Sequence, residues 1–246
     1  MTQPLPYCGA PPVPGDLLHR FNGDPLLIAA LLLIALAHLR AVRADRRKSA
    51  LAAAGWLTAG IALTSPLCAL SVALFSARVG QHMILLLIAA PLVALTLPAQ
   101  LARPGAPWPA VIAFFIALWL WHMPRAYDAS FASTEIYWAM HLSLFGSALW
   151  LWRALLHHPR EGAVAALVAG TLASIQMGLL GAILTLSSRA LFTPHYLTAG
   201  AWGFTPLSDQ QLGGALMWVP GCALFLLVAL RSAQMLWRVL EPARTA

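Results

Sequence analysis

Long apolar stretches, separated by short polar or proline-rich segments, recur along the whole chain. Seven of them come close to the roughly 20 residues that an α-helix needs to cross a hydrocarbon layer about 30 Å thick. We place them near residues 25–41, 49–67, 81–100, 107–123, 134–153, 163–186 and 212–236. The pattern therefore predicts an all-α transmembrane bundle with about seven spans.

Prolines agree with this division of the chain. Pro25 stands at the first turn of the first predicted helix, and Ser65-Pro66 closes the second. Pro91 lies inside the third predicted span, where it removes a backbone N–H. We expect a kink there, with the freed carbonyl satisfied by a neighbouring group.

Composition excludes a water-soluble fold. Apolar residues make up 60% of the chain and charged residues 9%, whereas soluble domains carry about 25% charged residues. We expect a single membrane domain over residues 1–246, with an extracytoplasmic segment at 1–24, the bundle at 25–236 and a cytoplasmic tail at 237–246. Since residues 1–24 have no apolar core, no cleavable signal peptide is predicted and the first span is retained.

The distribution of Lys and Arg along the chain predicts its orientation in the membrane. The net charge is +7, but the fifteen Lys and Arg residues are scattered between apolar runs and form no basic face with interleaved aromatics, so no nucleic-acid partner is expected. Counted on alternating sides of the seven spans, eleven of the fifteen fall on one side, which the positive-inside bias makes cytoplasmic. The chain is predicted to cross a bacterial inner membrane with its N-terminus outside and its C-terminus in the cytoplasm.

Histidines from four separate segments fall at or near the outer face in this topology: His82, His122, His141 and His195. Met83 and Met123 directly follow two of them. Imidazole and thioether groups suit a soft ion such as Cu(I), so a copper site in the outer leaflet is predicted. His141 is the best single candidate, because an ionisable group well inside a span is costly to bury and usually functional.

Other interpretations of these residues stay open. Histidines at helix ends are commonly solvated, and methionines in spans commonly only pack. One alternative is a membrane haem protein in which two of the histidines are axial ligands of a b-type haem. Another is a scaffold or transporter that binds no metal. A transporter is disfavoured because the spans contain neither a carboxylate relay nor a visible inverted repeat. Cys8 and Cys68 would both lie outside, but their spacing does not decide whether they pair.

The segment before the last predicted span is unusually polar. Ser208 or Asp209 would cap that helix, with Gln211 completing a capping box. Capping does not require two consecutive glutamines followed by two glycines. We therefore expect the Asp209–Gly214 segment to be a polar element packed tightly against other helices.

Several segments match, in order, the pattern of one membrane protein family. They are Gln81-His82-Met83-Ile84-Leu85-Leu86 with Ala90-Pro91-Leu92, Trp121-His122-Met123-Pro124 with Tyr127-Asp128, His141, Gly181-Ala182-Ile183-Leu184-Thr185, and Asp209-Gln210-Gln211-Leu212-Gly213-Gly214 with Met217-Trp218. Over residues 64–220 the chain resembles the multi-span CtaG-like cytochrome c oxidase assembly factors of bacteria. These differ from the single-span periplasmic copper chaperone of the same name.

The resemblance implies a membrane assembly factor for a haem-copper cytochrome c oxidase, a chaperone rather than an enzyme, that binds or delivers copper at its outer face. Its partners would be oxidase subunits or other assembly proteins in the lipid bilayer. The expected metal ligands are His82, His122, His141, His195, Met83, Met123 and Asp209. Structural or interaction roles are expected for Arg78, Gln81, Gln210 and Gln211.

One position departs from the family's pattern, which opens the third span with His-Met-x-Gln-His. The first histidine of that pattern falls on Arg78 here. Positions i and i+4 share one helix face, so this chain supplies an imidazole at His82 and a cation at Arg78 where the pattern supplies two imidazoles. A neighbouring cation repels a metal ion, so the expectation of copper is weaker than the family resemblance.

Overall fold

A computed structural model describes residues 5–97, 107–158 and 162–240. Within these ranges the chain is helical and contains no strand, which confirms the predicted all-α class. The α-helices are α1 (Pro25–Val42), α2 (Arg46–Thr64), α3 (Pro66–Ala73), α4 (Phe75–Ile84), α5 (Ala90–Ala94), α6 (Trp108–Trp121), α7 (Pro124–Ala132), α8 (Thr134–Leu156), α9 (Ala163–Leu186) and α10 (Pro206–Leu240). Short 3-10 turns lie at Leu17–His19, Thr193–His195 and Ala199–Trp202.

Four helical segments of the described chain are long and apolar enough to cross a membrane: α1, Phe75–Ala94, α9 and Pro206–Arg238. The count rises to six if two bent pairs each form one span, namely α2 with α3, bent by 50°, and α6 with α7, bent by 74°. The predicted fifth span, 134–153, is present as the 23-residue α8, but Glu135, His141 and Arg153 lower its hydropathy. The count of seven and the orientation stay predictions.

Two predicted boundaries are wrong by six residues. The third span begins at Phe75 instead of residue 81, and the last helix begins at Pro206 instead of residue 212. The first turns of α4 contain Ser76, Arg78 and Gln81, which are polar yet buried. Hydropathy assigns such residues to a loop, whereas tertiary contacts hold them in the helix. The predicted end of the third span, residues 98–100, and most of the predicted tail lie outside the described residues.

Pro91 is accommodated by a widened helical turn. Residues Leu85–Ala89, between α4 and α5, form a π-helical turn, in which a carbonyl pairs with the N–H five residues later. The partner of the Leu86 carbonyl would be Pro91, which has no N–H. Instead, the indole Nε1 of Trp152 on α8 donates to the Leu86 oxygen at 2.7 Å. The expectation that a neighbouring group satisfies a freed carbonyl is confirmed.

Small residues let the last two long helices pack closely. A Cβ added at Gly181 on α9 would lie 2.8 Å from the Gly214 oxygen, and one added at Gly214 on α10 would lie 2.5 Å from the Thr185 hydroxyl oxygen. Only glycine allows this approach of two backbones. By contrast α1 is peripheral, and only Leu27 and Val42 are buried in it. The core therefore lies between α4, α6, α8, α9 and α10.

The N-terminal segment, residues 5–24, is tied to one end of the bundle. A disulfide joins Cys8 to Cys68 on α3, with the Cα atoms 5.5 Å apart, which answers the question that spacing left open. The backbone amide of Asn22 donates to the backbone oxygen of Thr64 at 2.8 Å. Burial and a hydrogen bond to Asp24 raise the pKa of the Tyr7 hydroxyl to about 12. Since disulfides persist in oxidising compartments, the pairing supports an extracytoplasmic location for this end.

Replacing Trp152 by phenylalanine should destabilise the protein. Trp152→Phe keeps an aromatic ring against Phe225, which now stacks at 4.8 Å, but leaves the buried Leu86 carbonyl without its donor. We expect a loss of about 1–3 kcal/mol in the free energy of unfolding, measured as a lower Tm in detergent. Trp150→Phe on the exposed face of α8 is the control. Equal Tm values for the two variants would contradict the assigned role of Trp152.

The disulfide should stabilise the end of the bundle measurably. It closes a loop with a sequence separation of 60, for which chain entropy predicts a stabilisation of about 4 kcal/mol. A phosphine reductant should lower the Tm of the wild type and of Cys222→Ser, which keeps the pair, but leave the Cys8→Ser, Cys68→Ser double variant unchanged. Thiol labelling of all three cysteines in unreduced, denatured protein would show that the pair does not form.

Candidate functional site

Three of the four histidines that were predicted to lie at the outer face come together inside the bundle. His82 lies on α4, His122 follows the last residue of α6, and His141 lies on α8; their exposed fractions are 2%, 6% and 4%. The ring centroids are 5.1 Å apart for His82 and His141 and 6.3 Å apart for His82 and His122. We call these three residues the histidine cluster. Sequence could place them at similar depth but could not establish that they meet.

Backbone carbonyls fix the orientation of two of these rings. Nδ1 of His122 lies 2.7 Å from the Leu118 oxygen, and Nδ1 of His141 lies 3.0 Å from the Tyr137 oxygen. A carbonyl only accepts, so each Nδ1 carries the proton and each Nε2 keeps its lone pair. Metal-bound histidines are oriented by hydrogen bonds of this kind.

Three buried nitrogens in the cluster have no hydrogen-bond partner among the described residues. They are Nε2 of His141 and both ring nitrogens of His82. An unpaired buried polar group costs about 1–3 kcal/mol. These nitrogens are therefore free to pair with a bound ion or water instead of with a protein group.

Ring spacing allows two imidazoles to share an ion. A metal–nitrogen bond of about 2.0–2.1 Å places a ring centroid slightly more than about 3 Å from the ion, so two rings on one ion lie about 5–6.5 Å apart, depending on the angle at the ion. The spacings of 5.1 and 6.3 Å agree with this. However, no group of three or more His, Cys, Asp or Glu side chains in the described parts of the chain is arranged to hold an ion. The geometry favours a pair of imidazole ligands over a preassembled three-histidine site.

Other predicted ligands lie in different surroundings. His195 has its Nε2 2.6 Å from the Tyr127 hydroxyl and packs against the rings of Phe75 and Phe131. Met123 is 54% exposed at the start of α7, and Met83 is buried in the apolar core. The structure does not bring these three side chains into the histidine cluster.

Asp209 caps a helix other than its own. One carboxylate oxygen accepts from the Phe75 amide at 2.7 Å, and the other accepts from the Ser76 amide at 3.0 Å and from the Ser76 hydroxyl. The carboxylate, on α10, thus satisfies the first N–H groups of α4 and lies at the positive end of its dipole. This arrangement engages both oxygens that the metal prediction would have used.

The structure shows a different cap for the last helix from the one predicted. Thr205 precedes α10, and its hydroxyl accepts from the Ser208 amide at 3.1 Å, while the Ser208 hydroxyl accepts from the Thr205 amide at 2.9 Å. This is a reciprocal capping box one turn earlier than predicted. Neither Asp209 nor Gln211 takes part, because the helix already begins at Pro206.

Gln210 and Gln211 hold the loop that follows α9. Gln210 accepts from the Leu191 amide at 2.6 Å and donates to the Arg189 oxygen at 3.1 Å, and Gln211 donates to the Ser187 oxygen at 3.2 Å. A Cβ at Gly213 would lie 2.5 Å from the ring of Phe75. The prediction of a polar element packed tightly against other helices is confirmed.

Arg78 is buried next to the histidine cluster, with 1% of its surface exposed. Its guanidinium carbon lies 4.0 Å from the ring centroid of Phe131, 5.3 Å from that of Tyr127 and 5.7 Å from that of Tyr137. One terminal nitrogen donates to the Ser130 hydroxyl at 2.7 Å. No ion pair with a carboxylate forms within the described ranges. Aromatic faces and one hydroxyl thus replace a counter-ion.

Gln81 braces α4 against α2. Its Nε2 donates to the Ala62 oxygen at 2.7 Å. Because Gln81 precedes His82 on the same helix, this contact fixes the position of α4 at the level of the cluster. The structural or interaction role expected for Gln81 stays a prediction.

Sequence reasoning missed Tyr137, which links the cluster to the disulfide. Its ring centroid lies 4.1 Å from that of His141 and 4.7 Å from that of Tyr7. Its hydroxyl lies 3.4 Å from the sulfur of Cys8. The sequence could have indicated Tyr137, because it lies four residues before His141 and therefore on the same helix face.

Comparison with known protein families identifies the family of this chain. The family described as cytochrome c oxidase caa3 assembly factor (Caa3_CtaG) matches residues 30–239, well over half of the sequence. The chain belongs to this family. No match was found among curated proteins or among solved structures. The Caa3_CtaG match spans the histidine cluster, Arg78 and the Asp209–Gly214 segment, and Cys8 lies before it.

In this Caa3_CtaG protein the Asp209 carboxylate should be needed for the stability of α4. Asp209→Ala leaves two buried amides unpaired, each costing about 1–3 kcal/mol, whereas Asp209→Asn keeps one accepting oxygen. We therefore expect Tm to fall in the order wild type, Asn, Ala. Asp16→Ala, which removes an exposed ion pair with Arg20, is the matched control. A Tm for Asp209→Ala as high as that of the control would exclude the capping role.

Proposed function

We propose that this Caa3_CtaG protein is an inner-membrane assembly factor for a haem-copper cytochrome c oxidase and that it holds copper at the histidine cluster for delivery to its partner. His82 and His141 are the proposed ligands, and His122 lies beside them without being a ligand. The protein acts without catalysis of its own. Family membership supports the assembly role, and the cluster supports the copper role.

The observation that carries the copper proposal is the set of unpaired ring nitrogens. His141 presents an Nε2 lone pair, and both nitrogens of His82 lack a partner among the described residues. Neutral imidazole nitrogen is a ligand that copper accepts, and it needs no deprotonation. A copper ion between these two rings would take one lone pair from each ring.

Haem is less well supported as the occupant. A haem between His82 and His122 would need its macrocycle to displace the rings that pack there, since His141 lies 5.1 Å from His82 and Phe75 lies 6.5 Å from His122. Purified protein should accordingly show no Soret band. A Soret band that disappears in His82→Ala would favour the haem alternative.

Removal of the two proposed ligands should abolish copper binding. Wild-type protein purified in detergent and loaded with Cu(I) should retain about one ion per chain, measured by elemental analysis, because two imidazoles hold it. The His82→Ala, His141→Ala double variant should retain none. His19→Ala, which removes an exposed histidine outside the cluster, is the control. Equal copper in wild type and double variant would rule out this site.

The same variants separate copper delivery from scaffolding in cells. With the double variant in place of the wild type, the assembled oxidase should contain less copper and respire more slowly, while His19→Ala cells stay normal. A copper-free variant that still supports full oxidase activity would leave only the scaffold role.

A further inference from the structure

We infer that Arg78 makes the histidine cluster select ions by charge, so that a monovalent ion such as Cu(I) is held and divalent ions are excluded. The inference rests on the proposed function. It assigns a role in specificity to a buried cation that the sequence pattern alone marks only as an obstacle to metal binding.

The first argument is the position of Arg78 relative to the histidine cluster. Arg78 and His82 lie four residues apart on α4, so they share a helix face with Cβ atoms about 5–6 Å apart. Arg78 and His141 both contact the ring of Tyr137: its centroid is 5.7 Å from the guanidinium carbon and 4.1 Å from the His141 centroid. The sum of these distances limits the separation of guanidinium and imidazole to about 10 Å. An ion bound by His82 and His141 would therefore lie in the field of Arg78.

The charge of Arg78 is not neutralised by its surroundings. Arginine stays protonated in proteins, and the described neighbours are the rings of Tyr127, Phe131 and Tyr137 and the hydroxyl of Ser130. The nearby carboxylate of Asp209 is hydrogen-bonded to backbone amides of α4 and forms no ion pair with Arg78. A bound ion would thus lie in the field of a cation that has no carboxylate in direct contact with it.

Repulsion grows in proportion to the charge of the ion. At about 8 Å and an effective dielectric constant of about 20, one unit of ion charge loses roughly 30-fold in affinity. A divalent ion is penalised twice over, so the cluster should favour a monovalent ion by roughly 30-fold on electrostatic grounds.

The number of ligands acts in the same direction. Monovalent copper is stable with two nitrogen ligands, whereas Zn²⁺ takes four and Cu(II) favours four in a tetragonal arrangement. The described residues bring no three-ligand group together. Both charge and coordination therefore favour Cu(I), and only the charge contribution depends on Arg78.

A competition experiment isolates that contribution. Ag(I) and Cu(I) serve as monovalent probes and Zn(II) as the divalent probe, with affinities measured by equilibrium dialysis and elemental analysis of the full chain in detergent. Arg78→Gln should raise the affinity for Zn(II) roughly 30-fold more than that for Ag(I). Arg78→Lys keeps the charge and should keep the wild-type ratio. Arg125→Gln, at an exposed arginine, should change nothing.

The outcomes are distinguishable. If wild type binds neither Ag(I) nor Cu(I), the proposed copper function fails. If wild type binds them but Arg78→Gln leaves the ratio of the two affinities unchanged, or Arg78→Lys shifts it equally, the charge role of Arg78 is overturned and the copper site stands. Should Arg78→Gln not elute as one folded species, Arg78→Met, which keeps apolar contact with the rings, gives the same comparison.

Discussion

The contact between the Asp209 carboxylate and the first turn of α4 sets the position of the whole candidate site. A helix that begins inside the bundle exposes amides that no lipid can satisfy. Asp209 supplies the missing acceptors from α10, at 2.7 and 3.0 Å. Arg78 and His82 then follow within the next two turns of that helix. Loss of the carboxylate would release the start of α4 and with it the face that carries both side chains.

Two buried charges of opposite sign, Asp209 on α10 and Arg78 on α4, thus lie near the start of α4 and are satisfied separately. Asp209 is paired with a helix N-terminus, and Arg78 with three aromatic faces and a hydroxyl. A direct ion pair would have cancelled both fields. Because none forms in the described structure, the positive field of Arg78 remains available to act on the neighbouring imidazoles.

Sequence predicted the parts of the fold that depend on local properties. The span 163–186 coincides with α9 because its residues are predominantly apolar and none is charged, so no tertiary contact is needed to define it. The start of α4 at Phe75 was missed because it depends on Asp209, more than 130 positions away. Likewise the approach of His82 to His141, and the contact of Tyr137 with the disulfide, depend on which helices are neighbours. Periodicity within one helix carries no information on that.

The N-terminal segment adds a constraint that the family match, which begins at residue 30, does not include. Tyr7 stacks on Tyr137, which packs against His141 with its ring tilted, and the disulfide holds Tyr7 in place through its neighbour Cys8. Because the His141 ring is confined in this way, it loses little further entropy when an ion binds to its nitrogen. In the proposed copper site the disulfide would therefore contribute to preorganisation as well as to stability, although neither sulfur would be a ligand.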